Sequence, residues 1–417
     1  MAVVDLKLVR RFPYAEGREF GETGAYEQID ATLTFAVDPT AESNRNIVDL
    51  DRAPRDDNGN VRFTADFSIV MPTDPERGAH RLLIELPNRG RRRVVDTLNR
   101  SGADAMPSAA PGDGFLFERG LTVASIGWQW DVYTDDTLMG LDPPVADLSD
   151  EVDPGRTVVE IRPNQRQTTW LLADRIHRPL RAVDRVDPGA ALYVKDYEDG
   201  EETLIDRDKW EFARESDRRI VPSDEHVYLA DGFQPGLCYQ IVYSTNDAPV
   251  AGSGLLALRD ATAFLKYDAA GLLPEAERLD HAIGYGVSQT GRMLRHFLHL
   301  GLNVDERGRK VFDGLLPHVA GARVGAFNHR YAQPSNQSYP GFGHLFPFAD
   351  VDLADPLTGR SDGLLKRLRE MDAFPKVIYT NSSAEYWRGD CSLMHADAGS
   401  RSDIEFGVNS RMYHFAG

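Results

Sequence analysis

Hydrophobic and polar positions alternate along two stretches near the start of the chain. Residues 25–37 and 61–71 have a period close to two, which is typical of strands with one buried and one exposed face. Between them, residues 56–60 read Asp-Asp-Asn-Gly-Asn and lack both the spacing and the distal glutamate of a calcium-binding loop, so they predict a hairpin turn. We therefore predict a β-rich layer over residues 1–75.

Short apolar runs bounded by glycine and proline follow at residues 82–86 and 121–126. Such runs are typical of strands that are buried on both faces of a parallel sheet. Residues 145–235 are instead rich in charge and proline, and we interpret them as an inserted, β-containing cap. This pattern predicts an α/β core in two parts, residues 76–144 and residues 236–417.

Extended and helical patterns alternate through the second part of this predicted core. The predicted helices are 255–265 and 293–300, and the predicted strands are 239–243, 281–287, 312–319, 376–380 and 410–415. No internal repeat is visible. The alternation predicts an α/β fold with a mostly parallel central sheet and helices on both faces.

Composition narrows the class of protein further. The 65 acidic and 47 basic residues give a net charge of −18, which repels a phosphate backbone, so we predict no nucleic-acid partner. No run of 18 apolar residues occurs, and we predict a cytoplasmic protein without membrane contact. The two cysteines, Cys238 and Cys391, are too few for a disulfide framework, and no ligand spacing suggests a metal or another cofactor.

The main candidate for chemistry is the serine in Gly286-Val287-Ser288-Gln289-Thr290-Gly291, which lies between a predicted strand and a predicted helix. A nucleophilic serine on such a sharp turn needs small residues two positions before and after it. Gly286 meets the first requirement, whereas Thr290 replaces the usual glycine at the second. The strand and helix around the motif still favour a nucleophile.

Residues of the same region suggest two other kinds of site, one for a dinucleotide and one for a metal ion. Gly284 and Gly286 begin a dinucleotide-binding pattern, but Gln289 stands at its third glycine and no ribose-binding acid follows at the required distance. His296 and His299 share a helix face, yet no third metal ligand accompanies them, so an amphipathic helix explains them better.

A hydrolytic serine needs a histidine base, and that base needs an acid to orient it. Glu385, just after the 376–380 strand, is the favoured acid, and Asp390 is its rival. His414 is the candidate base within the chain, although its place inside a predicted strand also suits a packed histidine. His395 stands early for the same role.

An oxyanion hole requires two backbone N–H groups beside the serine. The first would be that of Gln289, directly after Ser288. Residues 87–90 read Pro-Asn-Arg-Gly after an early strand, and Arg89 is the expected second donor. Asn88 and Gly90 of the same loop are expected to line the substrate site, since glycine allows close approach of a ligand.

Three further residues are candidates for substrate binding. His318 and Asn328 follow a predicted strand at the same edge of the sheet, and Trp387 follows the favoured acid. Each has an ordinary structural alternative, because loop polar groups cap turns and large aromatic side chains are more often core.

Taken together, these residues resemble bacterial proteins of the α/β-hydrolase superfamily that are described as alpha/beta hydrolase domain-containing. Five segments carry the resemblance: 87–90 (PNRG), 250–254 (VAGSG) with Arg259-Asp260, 286–291 (GVSQTG), 327–330 (FNHR) and 381–387 (NSSAEYW). The resemblance implies an α/β-hydrolase fold and a catalytic histidine in a loop after the segment that matches residues 413–417. On this basis we expect the given chain to be truncated before its base.

The sequence thus predicts a serine hydrolase that cleaves small carboxylic esters through an acyl-enzyme on Ser288. Two alternatives stay open at this level: a catalytically silent scaffold with a binding role, and an acyltransferase or lactonase that uses the same serine. The sequence predicts neither the acyl nor the alcohol group, nor the oligomeric state.

Overall fold

The computed structural model describes residues 2–101, 110–151, 155–273, 276, 278–337 and 343–416. Its first strands build one side of a large sheet, as the alternating pattern predicts. They are β1 (Val3–Pro13), β2 (Glu19–Phe20), β3 (Gly24–Val37), β4 (Val61–Pro72), β5 (Arg81–Glu85), β6 (Thr122–Ile126) and β7 (Leu141–Asp142). Helices α1 (Val94–Leu98) and α2 (Phe115–Glu118) lie between β5 and β6.

The N-terminal strands extend the central sheet. β3 and β4 pair antiparallel from Tyr26 opposite Pro72 to Val37 opposite Val61, and β4 then pairs with β6. The predicted turn at residues 56–60 leads into β4, where the Asp56 N–H donates to the Asn60 carbonyl over 2.8 Å and Arg55 forms a β-bridge with Val61. The β-rich layer is therefore the antiparallel wing of the main sheet.

The inserted segment folds around its own apolar core. Its strands are β8 (Thr157–Ile161), β9 (Gln167–Leu171), β10 (Ala191–Lys195), β11 (Thr203–Ile205), β12 (Trp210–Glu211), β13 (Ala213–Ser216), β14 (Arg219–Pro222), β15 (His226–Phe233) and β16 (Cys238–Tyr243). Val159, Leu192 and Ile241 from three of these strands are buried together.

One boundary differs from the sequence expectation. β16, which we expected to return to the core after residue 235, pairs with β8 and β10 inside the inserted sheet. Its alternating pattern identifies a half-buried strand but not the sheet to which it belongs. The main sheet resumes only at the next strand.

The rest of the chain supplies the other side of the main sheet. The remaining helices are α3 (Ser253–Tyr267), α4 (Gln289–His299), α5 (Lys366–Glu370) and α6 (Ser383–Arg388). The remaining strands are β17 (His281–Val287), β18 (Gly314–His318), β19 (Leu353–Ala354), β20 (Ser361–Asp362), β21 (Lys376–Ser382), β22 (Ala396–Asp397), β23 (Ser402–Asp403) and β24 (Ser410–Phe415). Short turns, mostly of the 3-10 kind, lie at Tyr14–Gly17, Gly21–Thr23, Glu42–Asn44, Leu50–Arg52, Pro75–Arg77, Arg207–Lys209, Ala269–Gly271 and Cys391–Met394.

The order across the main sheet is β1-β3-β4-β6-β5-β17-β18-β21-β24, and the run from β6 to β24 is parallel. α3, α4 and α5 pack on one face, where Leu258 and Phe297 are fully buried, and α1 and α2 pack on the other. The predicted fold class is confirmed: a mostly parallel sheet with helices on both faces. In the described part of the chain, no helix has the length and apolar character needed to cross a bilayer.

Candidate active site

Ser288 lies at the sharp turn between β17 and α4. Its backbone angles, φ 55° and ψ −105°, fall in a strained region that non-glycine residues rarely adopt. The Ser288 N–H donates to the His318 carbonyl over 2.8 Å, which ties the turn to the end of the neighbouring β18. The predicted strand, turn and helix are therefore present, with the serine at the tip.

The residues around Ser288 explain why this turn does not follow the usual glycine spacing. A side chain on Gly286 would place its Cβ 2.5 Å from the Thr290 carbonyl oxygen, so only glycine fits. Thr290 is buried, and its Oγ1 accepts the Val287 N–H over 2.8 Å. The close approach to the next strand falls instead at Gly291, where a Cβ would lie 3.0 Å from the Cβ of Ala320.

The Pro-Asn-Arg-Gly loop lies beside this turn because β5 and β17 are parallel neighbours. Asn88 and Arg91 exchange backbone hydrogen bonds, and both central residues have positive φ, 50° for Arg89 and 80° for Gly90. The Asn88 Nδ2 donates to the Val287 carbonyl over 2.8 Å. A Cβ on Gly90 would lie 2.9 Å from Val132, so this glycine serves close packing of the loop.

The two N–H groups predicted to form an oxyanion hole are those of Gln289 and Arg89. The Gln289 N–H is the first of α4, so it has no carbonyl four residues earlier within the helix, and the partial positive charge of the helix end adds to it. The Arg89 N–H stands in the tip of the adjoining turn. The buried Gln289 side chain is held from behind, because its Nε2 donates to the Pro334 carbonyl over 2.6 Å.

A cleft of about 760 Å³ opens over Ser288. Its floor includes Ser288, Arg292 and Val319, and its opposite wall comes from the inserted segment, with Trp170 and Arg175 among the lining residues. Val319 has a φ of 44°, an outlier for a β-branched residue. The inserted segment thus borders the cleft, as expected for a cap.

Glu385 lines the same cleft as Ser288. It lies at the third position of α6, and its Oε2 accepts the Ser382 N–H over 2.9 Å and the Ser382 hydroxyl over 2.5 Å. These contacts hold the carboxylate at the end of β21. Its negative charge also opposes the lowering of the His318 pKa, which burial causes.

Asp390, the rival acid, faces away from the cleft lining. Its Oδ2 lies 3.1 Å from Arg323 Nε and 2.5 Å from His344 Nδ1. This imidazole–carboxylate pair borders a second, mainly apolar cavity of about 370 Å³. The sequence did not indicate His344, because it lies 46 residues before Asp390 with no pattern to link the two.

Four histidines lie at this end of the sheet: His318, His344, His395 and His414. The His318 Nδ1 lies 2.8 Å from the Thr380 hydroxyl, while His395 and His414 both contact the ring of Tyr386, with centroids 5.7 and 5.8 Å away. No imidazole of the described residues forms a hydrogen bond with the Ser288 hydroxyl. Gly417, after which the resemblance predicts the base, lies outside the described residues.

Two of the predicted substrate-binding residues lie elsewhere. Asn328 bridges to the N-terminal part of the chain, where its Oδ1 accepts the Val48 N–H over 3.0 Å and its Nδ2 donates to the Asn46 carbonyl over 2.8 Å. The Trp387 side chain is 81% exposed and does not line the cleft. The position of these residues in loops after strands predicted neither the contacts of Asn328 nor the exposure of Trp387.

One lining residue was missed by the sequence analysis. Arg292 is on α4 four residues after Ser288, and its side chain forms part of the cleft floor. The signal was available, since positions four apart share a helix face. Among the described residues no cluster of three or more metal-ligating side chains is present, and the His299 Nε2 lies 3.0 Å from the Asp362 carboxylate.

Residues 238–417 match the family described as "Alpha/beta hydrolase domain". The match includes Ser288, the α4 turn and Glu385, so the predicted superfamily and fold are confirmed. No match was found among the curated proteins.

Solved structures similar to the chain include three kinds of hydrolase. A glucuronoyl esterase from Solibacter usitatus is 11% identical with a TM-score of 0.32, over 99% of this chain and 81% of that one. The rice cell wall degrading esterase LipA from Xanthomonas oryzae is 9% identical with a TM-score of 0.35, over 100% and 91%. An S-formylglutathione hydrolase from Agrobacterium tumefaciens is 9% identical with a TM-score of 0.29, over 98% and 90%. Similarity this low does not bear on the substrate of this chain.

Proposed function

We propose that the protein is a hydrolase of small carboxylic esters that works through an acyl-enzyme on Ser288. The observation that carries this proposal is the strained backbone of Ser288 at the strand-to-helix turn, on the floor of a cleft. Backbone strain of this kind persists at functional sites because the surrounding structure enforces it. Here the Asn88, Thr290 and His318 contacts enforce it.

In this proposal the Ser288 Oγ attacks the ester carbonyl carbon while a histidine accepts the hydroxyl proton. The carbonyl oxygen becomes an oxyanion that the N–H groups of Gln289 and Arg89 stabilise. The protonated histidine then gives its proton to the departing alcohol. Water adds to the acyl-enzyme by the same route, which releases the acid and restores Ser288.

Glu385 is the proposed orienting acid because it shares the cleft with Ser288 and is held by Ser382. Asp390 fits less well, since Arg323 and His344 already contact its carboxylate. The proposed base is one of the histidines at this edge of the sheet. Alanine variants of His318, His344, His395 and His414 test this assignment, because loss of a true base slows acylation without abolishing ester binding.

Hydrolysis of 4-nitrophenyl acetate tests the proposal. We expect Ser288→Ala to lower kcat by about a thousandfold or more, because the variant retains only binding and the oxyanion hole. Ser361→Ala is the matched control, since Ser361 is exposed on a short strand away from the cleft. Equal rates for wild type and Ser288→Ala would remove the proposed nucleophile.

The absence of a described imidazole at Ser288 favours one second candidate, a silent scaffold that binds a ligand in the cleft without cleaving it. This candidate predicts ester binding without turnover in the wild-type protein. Turnover that depends on Ser288 rejects it. If the acyl group passes to an added alcohol in preference to water, the serine serves acyl transfer instead.

A further inference from the structure

The charges that line the Ser288 cleft are unevenly paired. Five arginines and four carboxylates face it. Three of the arginines have carboxylate partners within 4.0 Å: Arg162 with Glu160 and Glu198, Arg175 with Asp174, and Arg323 with Asp390. Arg388 is exposed at the rim, where solvent screens its charge. The remaining cation, Arg292, lies in the floor.

Among the described residues, Arg292 has no hydrogen-bond or ion-pair partner for its guanidinium, and its Nε is shielded from solvent. Burial, together with the like charges of Arg89 and Arg323, lowers the pKa of Arg292 to about 10, and the negative charge of Glu385 only partly opposes this shift. A half-buried cation without a partner is unfavourable, because charges shielded from water are normally paired. The site therefore has an unmet requirement for an anion.

Glu385 does not meet this requirement. It lines the same cleft, but its Oε2 is engaged by both the N–H and the hydroxyl of Ser382. Asp174, the carboxylate on the opposite wall, lies beside Arg175 and 3.8 Å from Arg89. Neither carboxylate makes direct contact with Arg292.

Arg292 lies close to the candidate nucleophile, so an anion bound by Arg292 would also lie near Ser288. The Arg292 N–H donates to the Ser288 carbonyl over 3.0 Å, so the two residues are one helical turn apart. Side chains at this spacing begin about 5–6 Å apart, and a helical side chain leans toward the preceding turn. One short ligand could therefore place an ester carbonyl at Ser288 and an anion at Arg292.

We propose that Arg292 binds a carboxylate carried by the substrate, so that the preferred substrates are short esters with a free carboxylate. This inference rests on the proposed function for the identity of the reacting group. The planar guanidinium suits a carboxylate, which it holds through two parallel hydrogen bonds. A neutral ester of the same length would leave Arg292 unpaired.

Binding to the Ser288→Ala variant tests the inference without turnover. The ligands are monomethyl glutarate, with the carboxylate on the acyl half, its isomer 4-acetoxybutyrate, with the carboxylate on the alcohol half, and neutral dimethyl glutarate. We expect at least one anionic ester to bind about tenfold or more tightly than the neutral one, since hydrogen bonds to charged groups contribute on this scale. The stronger of the two anionic esters identifies the half that carries the charge.

Arg292 variants in the Ser288→Ala background complete the test. Arg292→Gln should abolish the difference between anionic and neutral esters, and Arg292→Lys should restore part of it. Arg278→Gln removes the same charge from an 89% exposed side chain near the opposite end of β17 and should leave the difference intact. Circular dichroism confirms that each variant is folded.

Equal binding of all three esters, or no binding of any of them at about 1 mM, overturns the inference. A preference that survives in Arg292→Gln overturns it as well. Neither result affects the proposed function, which is tested separately by Ser288-dependent hydrolysis of 4-nitrophenyl acetate. Loss of that hydrolysis with retained anion preference would leave Arg292 as a binding residue in a protein that is not a serine hydrolase.

Discussion

The Asn88 side chain donates a hydrogen bond over 2.8 Å to the carbonyl of Val287, the residue directly before the candidate nucleophile. This bond joins two loops that are far apart in the chain but follow neighbouring parallel strands. It therefore ties the loop that carries Arg89 to the Ser288 turn. The two halves of the proposed oxyanion hole are thus positioned by one amide.

We expect Asn88→Ala to lower kcat/KM for 4-nitrophenyl acetate by about tenfold to a hundredfold, mainly through kcat, because small displacements of catalytic groups have effects of this size. Steady-state kinetics measure kcat and KM for the wild type and the variant. Asn58→Ala, in the exposed hairpin turn, is the control. An unchanged kcat in Asn88→Ala would show that the loop is positioned by other contacts.

Thr290 stabilises the serine turn through its hydroxyl, which accepts the Val287 N–H. Thr290→Val keeps the shape but leaves a buried donor without a partner, so we expect a loss of about 1–3 kcal/mol in the free energy of unfolding. Thr290→Ser keeps the hydroxyl and should lose less. Chemical denaturation compares the three proteins, and equal stability of wild type and Thr290→Val would contradict this role.

Gly286→Ala should disrupt the turn, because the new Cβ would lie 2.5 Å from a backbone oxygen that cannot rotate away. We expect a destabilisation of about 1–3 kcal/mol or more, with loss of activity. Gly271→Ala is the control, since its Cβ would have no neighbour within 4 Å. If Gly286→Ala matched the control in thermal unfolding, the close approach of β17 and α4 would be excluded.

Glu85 is fully enclosed beneath the N-terminus of α1, where its Oε2 accepts the N–H groups of Arg93 and Val94. Burial raises the pKa of this carboxyl to about 7. The folded protein therefore keeps a proton that the unfolded chain releases above its ordinary pKa of about 4.3, so Glu85 lowers stability as pH rises from about 4.3 to 7.

We expect Glu85→Gln to reduce this dependence in denaturation experiments between pH 5 and 7, because glutamine does not titrate. Glu370→Gln, at an exposed site, should keep the wild-type profile. A Glu85→Gln profile parallel to the wild type would show that other groups cause the dependence.

Much of the fold could be predicted because each core strand has its own local pattern of apolar residues. The bounds of the 281–287 and 410–415 strands were predicted to the residue, since both are short runs with an extended pattern. The sheet to which β16 belongs could not be predicted, because alternation records burial and not pairing. Long-range pairing depends on residues that are distant in sequence.

In the candidate site, too, local features could be predicted and long-range contacts could not. Ser288 and Glu385 could be placed at one edge of the sheet, because parallel strands end together. The contacts of Asp390 with Arg323 and His344 could not be predicted, since they join side chains from separate loops. The place of Arg292 beside Ser288 could have been inferred from their spacing of four residues, but its lack of a charged partner is visible only in the structure.

The most direct test of the central claim is the site of covalent modification by a fluorophosphonate probe, read by mass spectrometry of the digested protein. The account predicts a single adduct on the peptide that contains Ser288, and none in Ser288→Ala. Ser361→Ala should be labelled like wild type. An adduct on another residue, or equal labelling of Ser288→Ala, would contradict the assignment of Ser288 as the nucleophile.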